Sequence, residues 1–307
     1  MNRKTANLLC LLVAVLWGGG FIATDWALQT FPPFTMLLIR FAGAALLCWI
    51  PVLLRHLVIS RAALKHGILS GVFLYLAFAF QTFGLQLTET GMNAFLTAVN
   101  VVLVPYMAWA VFHKKPQMKV FIASLLCLCG IGCLSLSSGS FVFRPGDVLS
   151  LLCAVFFAAQ IVALSLAEKD DPWCVNAVQL STAAVLSVPF ALFFDKWPDH
   201  VSLQAILSCG YSIVFATFLC YLLQTTAQKY TTPSEAGLFL STESLWANIF
   251  GFLILHEAKT PMMIFGGALI LASVVLMEAF DPERYRNANG HPRWRADSAL
   301  PNDNKTA

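Results

Sequence analysis

Charge is what this 307-residue chain has least of: Asp, Glu, Lys and Arg make up 11% of it, against 58% hydrophobic residues. A soluble domain carries roughly 25% charged residues, so the composition excludes an ordinary water-soluble fold and predicts a polytopic membrane protein. The short alternating segments of a membrane barrel are also missing. So are an HExxH pair, a nucleophile elbow and a phosphate-binding loop, and the six histidines all fall in loops, at span ends or in the tail. No enzyme chemistry, no cofactor and no nucleic-acid partner is expected. Nine cysteines are present, eight inside apolar runs and Cys174 at the edge of one, where thiols behave as small hydrophobes. Cys129 and Cys133 are one helical turn apart but have no His or acid beside them, so neither a metal site nor a disulfide is expected.

What is abundant is apolar sequence in lengths of about 20 residues, the length that crosses a ~30 Å hydrocarbon core as a helix. Dividing the chain at its charge and proline clusters gives ten such segments: 6–27, 34–54, 67–87, 91–112, 119–137, 147–167, 173–194, 204–228, 234–256 and 261–280. The fold class is therefore an all-α membrane protein of ten transmembrane helices in contact with a lipid bilayer. The first apolar run follows Arg3 and Lys4 as a signal peptide would, but it is long, has no convincing cleavage site and makes the number of spans even. Lys and Arg prefer cytoplasmic loops. With the N-terminus inside, fifteen of them fall on the cytoplasmic side and three outside, or ten against three without the tail. Both termini are expected in the cytoplasm. Residues 281–307 are polar, carry no apolar period and are expected to be disordered.

An internal repeat is the more informative pattern. Sliding the chain by 143 positions lays Leu9-Cys10 on Leu152-Cys153, Gln81-Thr82 on Gln224-Thr225, Asn100 on Glu243 and Lys114 on Glu257. This divides the protein into a first repeat, 1–137, and a second, 138–280. Five helices per half is odd, so the second half inserts upside down. Inverted repeats of this kind are typical of secondary transporters, whose sites lie near the midplane between the halves.

Several motifs then occur in order. Trp17-Gly18-Gly19-Gly20-Phe21 lies in the first span, Pro32-Pro33 and Arg40-Phe41 in the second, and AFLTAVNVVLVP, Ala94 to Pro105, in the fourth; in the ninth, Glu243 stands fourteen residues before Glu257. Over about residues 6 to 280 the chain resembles the EamA-type transporters of the drug/metabolite transporter superfamily. The resemblance implies a metabolite carrier of the bacterial inner membrane, usually an exporter. It also implies alternating access around a cavity formed by helices one to four and six to nine. Two departures stand out. Where members often have proline after the ninth-helix glutamate, this chain has Ser244, which predicts less kink there. The counterpart of Glu257 is Lys114.

Glu243 is the residue on which the reading turns. An ionised carboxylate at the bilayer centre costs at least ~2 to 3 kcal/mol, so it is either a protonated or arginine-paired acid that locks helices or a proton-coupling or ammonium-binding group. Nine residues in from opposite ends, Glu243 and Asn100 both reach ~14 Å depth, and a two-fold axis in the membrane plane would bring them together. Ser241, Ser244 and Asn248 lie roughly opposite Glu243, so both faces of that helix need protein or water. Arg40, the one basic residue inside a span, either snorkels to the surface or pairs with Glu243, Glu89 or an anionic substrate.

Gln81, Gln224, Gln160 and Asn93 either join helices or bind solute. Gln81 and Gln224 rank first because they are repeat mates. Trp17, Phe78 and Tyr221 either pack or stack on an apolar solute. Gly67 and Gly71 form a small-xxx-small pair, read as packing within the chain in preference to dimerisation. The site proposed from sequence is therefore Glu243, Asn100, Arg40, Gln81, Gln224, Trp17 and Tyr221, with a small-molecule substrate, in a monomer or homodimer. The leading function is a secondary transporter exporting small metabolites or amino-acid-like solutes, with proton coupling through Glu243. A channel-like or structural membrane protein stays open as the alternative.

Overall fold

The computed structural model describes residues 1–88, 90–135, 144–256 and 260–279. Glu89, Glu257, Lys259 and the polar tail lie outside them. Thirteen α-helices are found among the described residues: α1 Arg3–Leu28, α2 Pro33–Leu54, α3 Arg61–Leu87, α4 Thr90–Thr97, α5 Asn100–Phe112, α6 Met118–Ser135, α7 Pro145–Leu166, α8 Pro172–Phe194, α9 Leu203–Ile213, α10 Cys220–Gln228, α11 Pro233–Ser241, α12 Glu243–Leu255 and α13 Pro261–Ala279. A π-helical turn, Val214–Leu219, joins α9 to α10. The pairs α4/α5, α9/α10 and α11/α12 each make one continuous span, which gives ten helices long and apolar enough to cross a membrane. They match the ten segments expected. Prolines at positions 33, 145, 172, 233 and 261 open their helices, where the missing N–H costs nothing.

The third helix starts earlier than its apolar run. Ser60 accepts the Ala63 N–H at 2.9 Å, and this cap draws Arg61 and Lys65, expected in a loop, into the helix. At the start of α2, by contrast, Pro32 supplies no side-chain cap. The Thr35 N–H instead donates to Asp195 Oδ2, at 2.5 Å, from just beyond α8. Asp195→Ala should therefore cost about 1 kcal/mol, read as a lowered melting temperature in detergent, whereas Asp199→Ala at an exposed neighbouring position should leave the melting temperature unchanged.

The ninth span departs from expectation. Without a proline after Glu243 it was predicted to run straighter, yet the α-helix is interrupted at Thr242. The Thr242 hydroxyl turns back on the Phe239 carbonyl at 2.7 Å, and the Thr242 N–H follows it at 3.3 Å. That is a tight i to i−3 turn made without proline. The fourth span is interrupted at the matching place: Val99, Val101 and Val102 donate to carbonyls three residues back. Asn100 and Glu243 are thus each the first residue of the second half of a broken span, 143 positions apart. Those half-helices end on His113 and His256, again 143 apart and both left-handed, at φ 56° and 54°.

Packing repeats the same correspondence. α3 lies along α7, as α1 lies along α9 and α10; α1 meets α11 and α12, as α7 meets α4 and α5; α2 packs on α8, and α6 packs on α13. At one face of the bundle Arg3 pairs with Glu235 at 2.9 Å, the Thr231 hydroxyl donates to Asn7, and Asn7 donates to Glu278 at 2.6 Å. At the other face the Thr88 hydroxyl donates to Asp147 at 2.5 Å, and Asn93 to Ser150 at 2.8 Å. Thr88 and Thr231 are themselves 143 apart, as are Asn7 and Ser150. Outward, the helices present large apolar side chains such as Leu46, Leu53, Leu192, Phe193, Leu207 and Ile264, a surface suited to lipid.

Candidate solute site

The middle of the bundle is where the polar residues singled out in the sequence meet, although not in the pairs expected. Glu243 opens α12. It lies deep in the protein yet keeps part of its side chain accessible. Among the described residues it has no hydrogen-bond partner and no ion pair. Its repeat mate Asn100 meets the residue two positions before Glu243: the Ser241 hydroxyl lies 3.4 Å from Asn100 Oδ1. Ser241 also bonds back to the Gly237 carbonyl at 2.8 Å, so Asn100 is linked to the end of the half-helix and not to the acid.

Arg40 does not snorkel. It is buried, 7% exposed, because the eighth span offers what the surface would. Its Nε donates to Thr217 Oγ1 at 2.5 Å and its Nη2 to the Ala216 carbonyl at 3.2 Å. The guanidinium stands over the Phe78 ring, 4.9 Å from its centroid, a placement that favours a desolvated cation. No carboxylate lies within ion-pair distance of it among the described residues. Glu243 is nonetheless close enough to act on it electrostatically.

The aromatic residues line this region. The Trp17 and Tyr221 rings are 5.6 Å apart at 59°, and Trp17 Nε1 donates to the same Ala216 carbonyl at 2.8 Å. Phe78 meets Phe41 and Phe157 edge-on, at 5.4 and 5.3 Å. Trp17 reaches the site because Gly18 lets α1 settle onto α12: a Cβ there would come within 2.6 Å of Trp246 Cβ.

Gln81 and Gln224 are not brought together. Gln224 is fully buried and belongs to a run of amides joining α7, α8 and α10. It donates to Gln160 and to Gln228, Gln160 donates to Gln179, and Gln179 to Asn176, at 3.0 to 3.3 Å. Gln81 contributes its backbone carbonyl, which accepts from Asn93 at 3.2 Å. Gln224 and Gln160 thus join helices, the plainer of the two readings open from the sequence. Thr217 was missed. A threonine in the apolar run IVFATFLC gives little signal, although a hydroxyl in a span needs a partner and so invites the question of which one.

Residues 4–136 and 144–279 each match the EamA-like transporter family. The chain belongs to that family. An uncharacterized transporter of Archaeoglobus fulgidus is 33% identical over 278 residues, covering 90% of this chain and 87% of its own. The uncharacterized transporter YoaV of Bacillus subtilis is 25% identical over 276 residues, covering 86% and 93%. A solved crystal structure superposes with a TM-score of 0.80 at 18% identity, over 91% of this chain and 98% of that one, which shows the shared fold. This EamA-like chain is therefore a multi-pass membrane protein and a transporter.

Proposed function

We propose that this transporter is a secondary carrier of the bacterial inner membrane that exports small, amino-acid-like metabolites by alternating access, driven by protons. The observation that carries the reading is the separation of Arg40 from Glu243. A guanidinium and a carboxyl group stand in one region deep in the bundle, yet they are not ion-paired. Leaving the two without each other is costly in a membrane interior, and a zwitterionic solute would satisfy both. Its carboxylate would meet a guanidinium that gives two of its five N–H donors to protein. Its ammonium would meet Glu243, and its side chain the Trp17, Tyr221 and Phe78 rings. Glu243 could alternatively carry a proton on the return step, which supplies the coupling.

The internal correspondence of the fold supports alternating access. Broken helices at matching positions and similar polar contacts at the two faces support an inverted repeat whose halves rock about the centre. Loop charge supports a cytoplasmic position for both termini. The test is uptake of individually radiolabelled L-amino acids into proteoliposomes under an imposed pH gradient. The expected result is saturable flux that falls when the gradient is dissipated. Flux that rises without saturation would replace the carrier with a channel.

A further inference from the structure

The π-helical turn Val214–Leu219 has a consequence for Arg40. In an α-helix the Cys220 N–H would bond to the Ala216 carbonyl, four residues back. Here it donates to the Phe215 and Thr217 carbonyls and bypasses Ala216. The Ala216 oxygen is left to side chains, and two reach it from the other half of the chain: Trp17 Nε1 of α1 at 2.8 Å and Arg40 Nη2 of α2 at 3.2 Å. One residue on, Thr217 Oγ1 accepts Arg40 Nε at 2.5 Å while donating its own proton to the Ser212 carbonyl at 2.7 Å. That donation fixes the hydroxyl so that its lone pairs face the guanidinium. The turn is further held by Tyr211, whose hydroxyl donates to the Leu16 carbonyl of α1 at 3.1 Å. π-Turns inside α-helices frequently mark functional positions because they free a backbone group.

The geometry points to Thr217 and the Ala216 carbonyl as the seat that orients Arg40 toward solute, which makes Thr217 a positioning residue for the anion-binding arginine. This rests on the reading of Arg40 given above. A buried guanidinium has many rotamers and a large entropy to lose on binding. Two fixed acceptors on one edge and a ring beneath leave the remaining N–H groups free to form a bidentate bond with a carboxylate. The corresponding stretch of the third span, 71–76, is ordinary α-helix. The seat is therefore built into the second half of the protein, the half that faces Arg40.

Two measurements test it. Hydrogen–deuterium exchange over residues 208–224 of solute-free protein in nanodiscs needs no solute. Thr217→Val and Arg40→Gln should each speed exchange about tenfold, the weight of a hydrogen bond to a charged group. The double variant should fall well short of the product of the two single effects, since both singles already remove the Thr217–Arg40 bond. Multiplied effects would overturn the seat. Transport of a labelled L-amino acid then tests positioning. Thr217→Val should raise KM about tenfold with the maximal rate held within about twofold, and Thr217→Ser, which restores the acceptor, should return KM toward the parent value. Parent-like KM in Thr217→Val alongside an inactive Arg40→Gln would overturn the positioning role and leave Arg40 as the anion site. Parent-like transport by Arg40→Gln would overturn the reading of Arg40 itself, whatever the exchange data show.

Discussion

Glu243→Gln removes accumulation of solute against its gradient, down to the level of empty liposomes, and leaves one-for-one exchange of labelled for unlabelled solute measurable. The expectation follows from chemistry at one position. Glutamine keeps the length and hydrogen-bonding capacity of the side chain but cannot bind and release a proton, so a cycle driven by protons loses its drive. Exchange requires only that the loaded carrier change sides, and a neutral residue permits that. The structure makes the substitution a clean one. Among the described residues Glu243 has no partner that glutamine would strand, so melting temperature should stay at the parent value. Gradient-driven accumulation that survives in Glu243→Gln would rule out coupling through this residue. Loss of exchange together with accumulation would mean that the solute ammonium needs the carboxylate at every step and not only its proton.

How much of this was legible in the sequence varies with the physics involved. The ten spans were, because helix length against bilayer thickness is one-dimensional information carried by composition. The register of 143 was also visible, and it returns in the structure at the interruptions before Asn100 and Glu243 and at the left-handed His113 and His256. The interruption at Thr242 was not, since the expectation rested on proline alone and the tight turn there is made by a threonine hydroxyl. Arg40 shows the limit most clearly. Its burial could be argued from position, but its partners come from 176 and 177 residues away. One of them is a backbone carbonyl, a group that every residue carries and no sequence pattern marks. Gln81 and Gln224 have different partners for a related reason: repeat symmetry relates positions, while contacts depend on which side chains fill them.

Gly71→Leu should destabilise the protein by about 3 kcal/mol or more, at the upper end of what overpacking costs, and should fail to give a monodisperse folded peak in detergent. A Cβ at position 71 would stand 2.5 Å from the Gln179 carbonyl oxygen and 2.7 Å from Thr182 Cβ, and one turn earlier a Cβ at Gly67 would stand 2.7 Å from Val178 Cβ. The small-xxx-small pair is thus spent inside the chain, where α3 rests directly on α8. Backbone cannot move aside as a side chain end can, so the remaining carbons of leucine have to separate the two helices. Gly71→Ala tests the same contact more gently: the lost glycine returns about 1 kcal/mol of helix propensity, and the clash has to exceed that for the variant to melt lower. Gly210→Ala is the control, because nothing lies within 4 Å of a Cβ there and only the gain in propensity remains. The contact also fixes Gln179, which accepts from Gln160 in the amide run joining α7 to α8, so displacement of α8 reaches the helices around the solute site. Loss of transport in Gly71→Leu should therefore come with a lower melting temperature, whereas loss of accumulation in Glu243→Gln should not. A Gly71→Leu protein that melts with the parent would mean that α3 and α8 part more easily than their close approach implies.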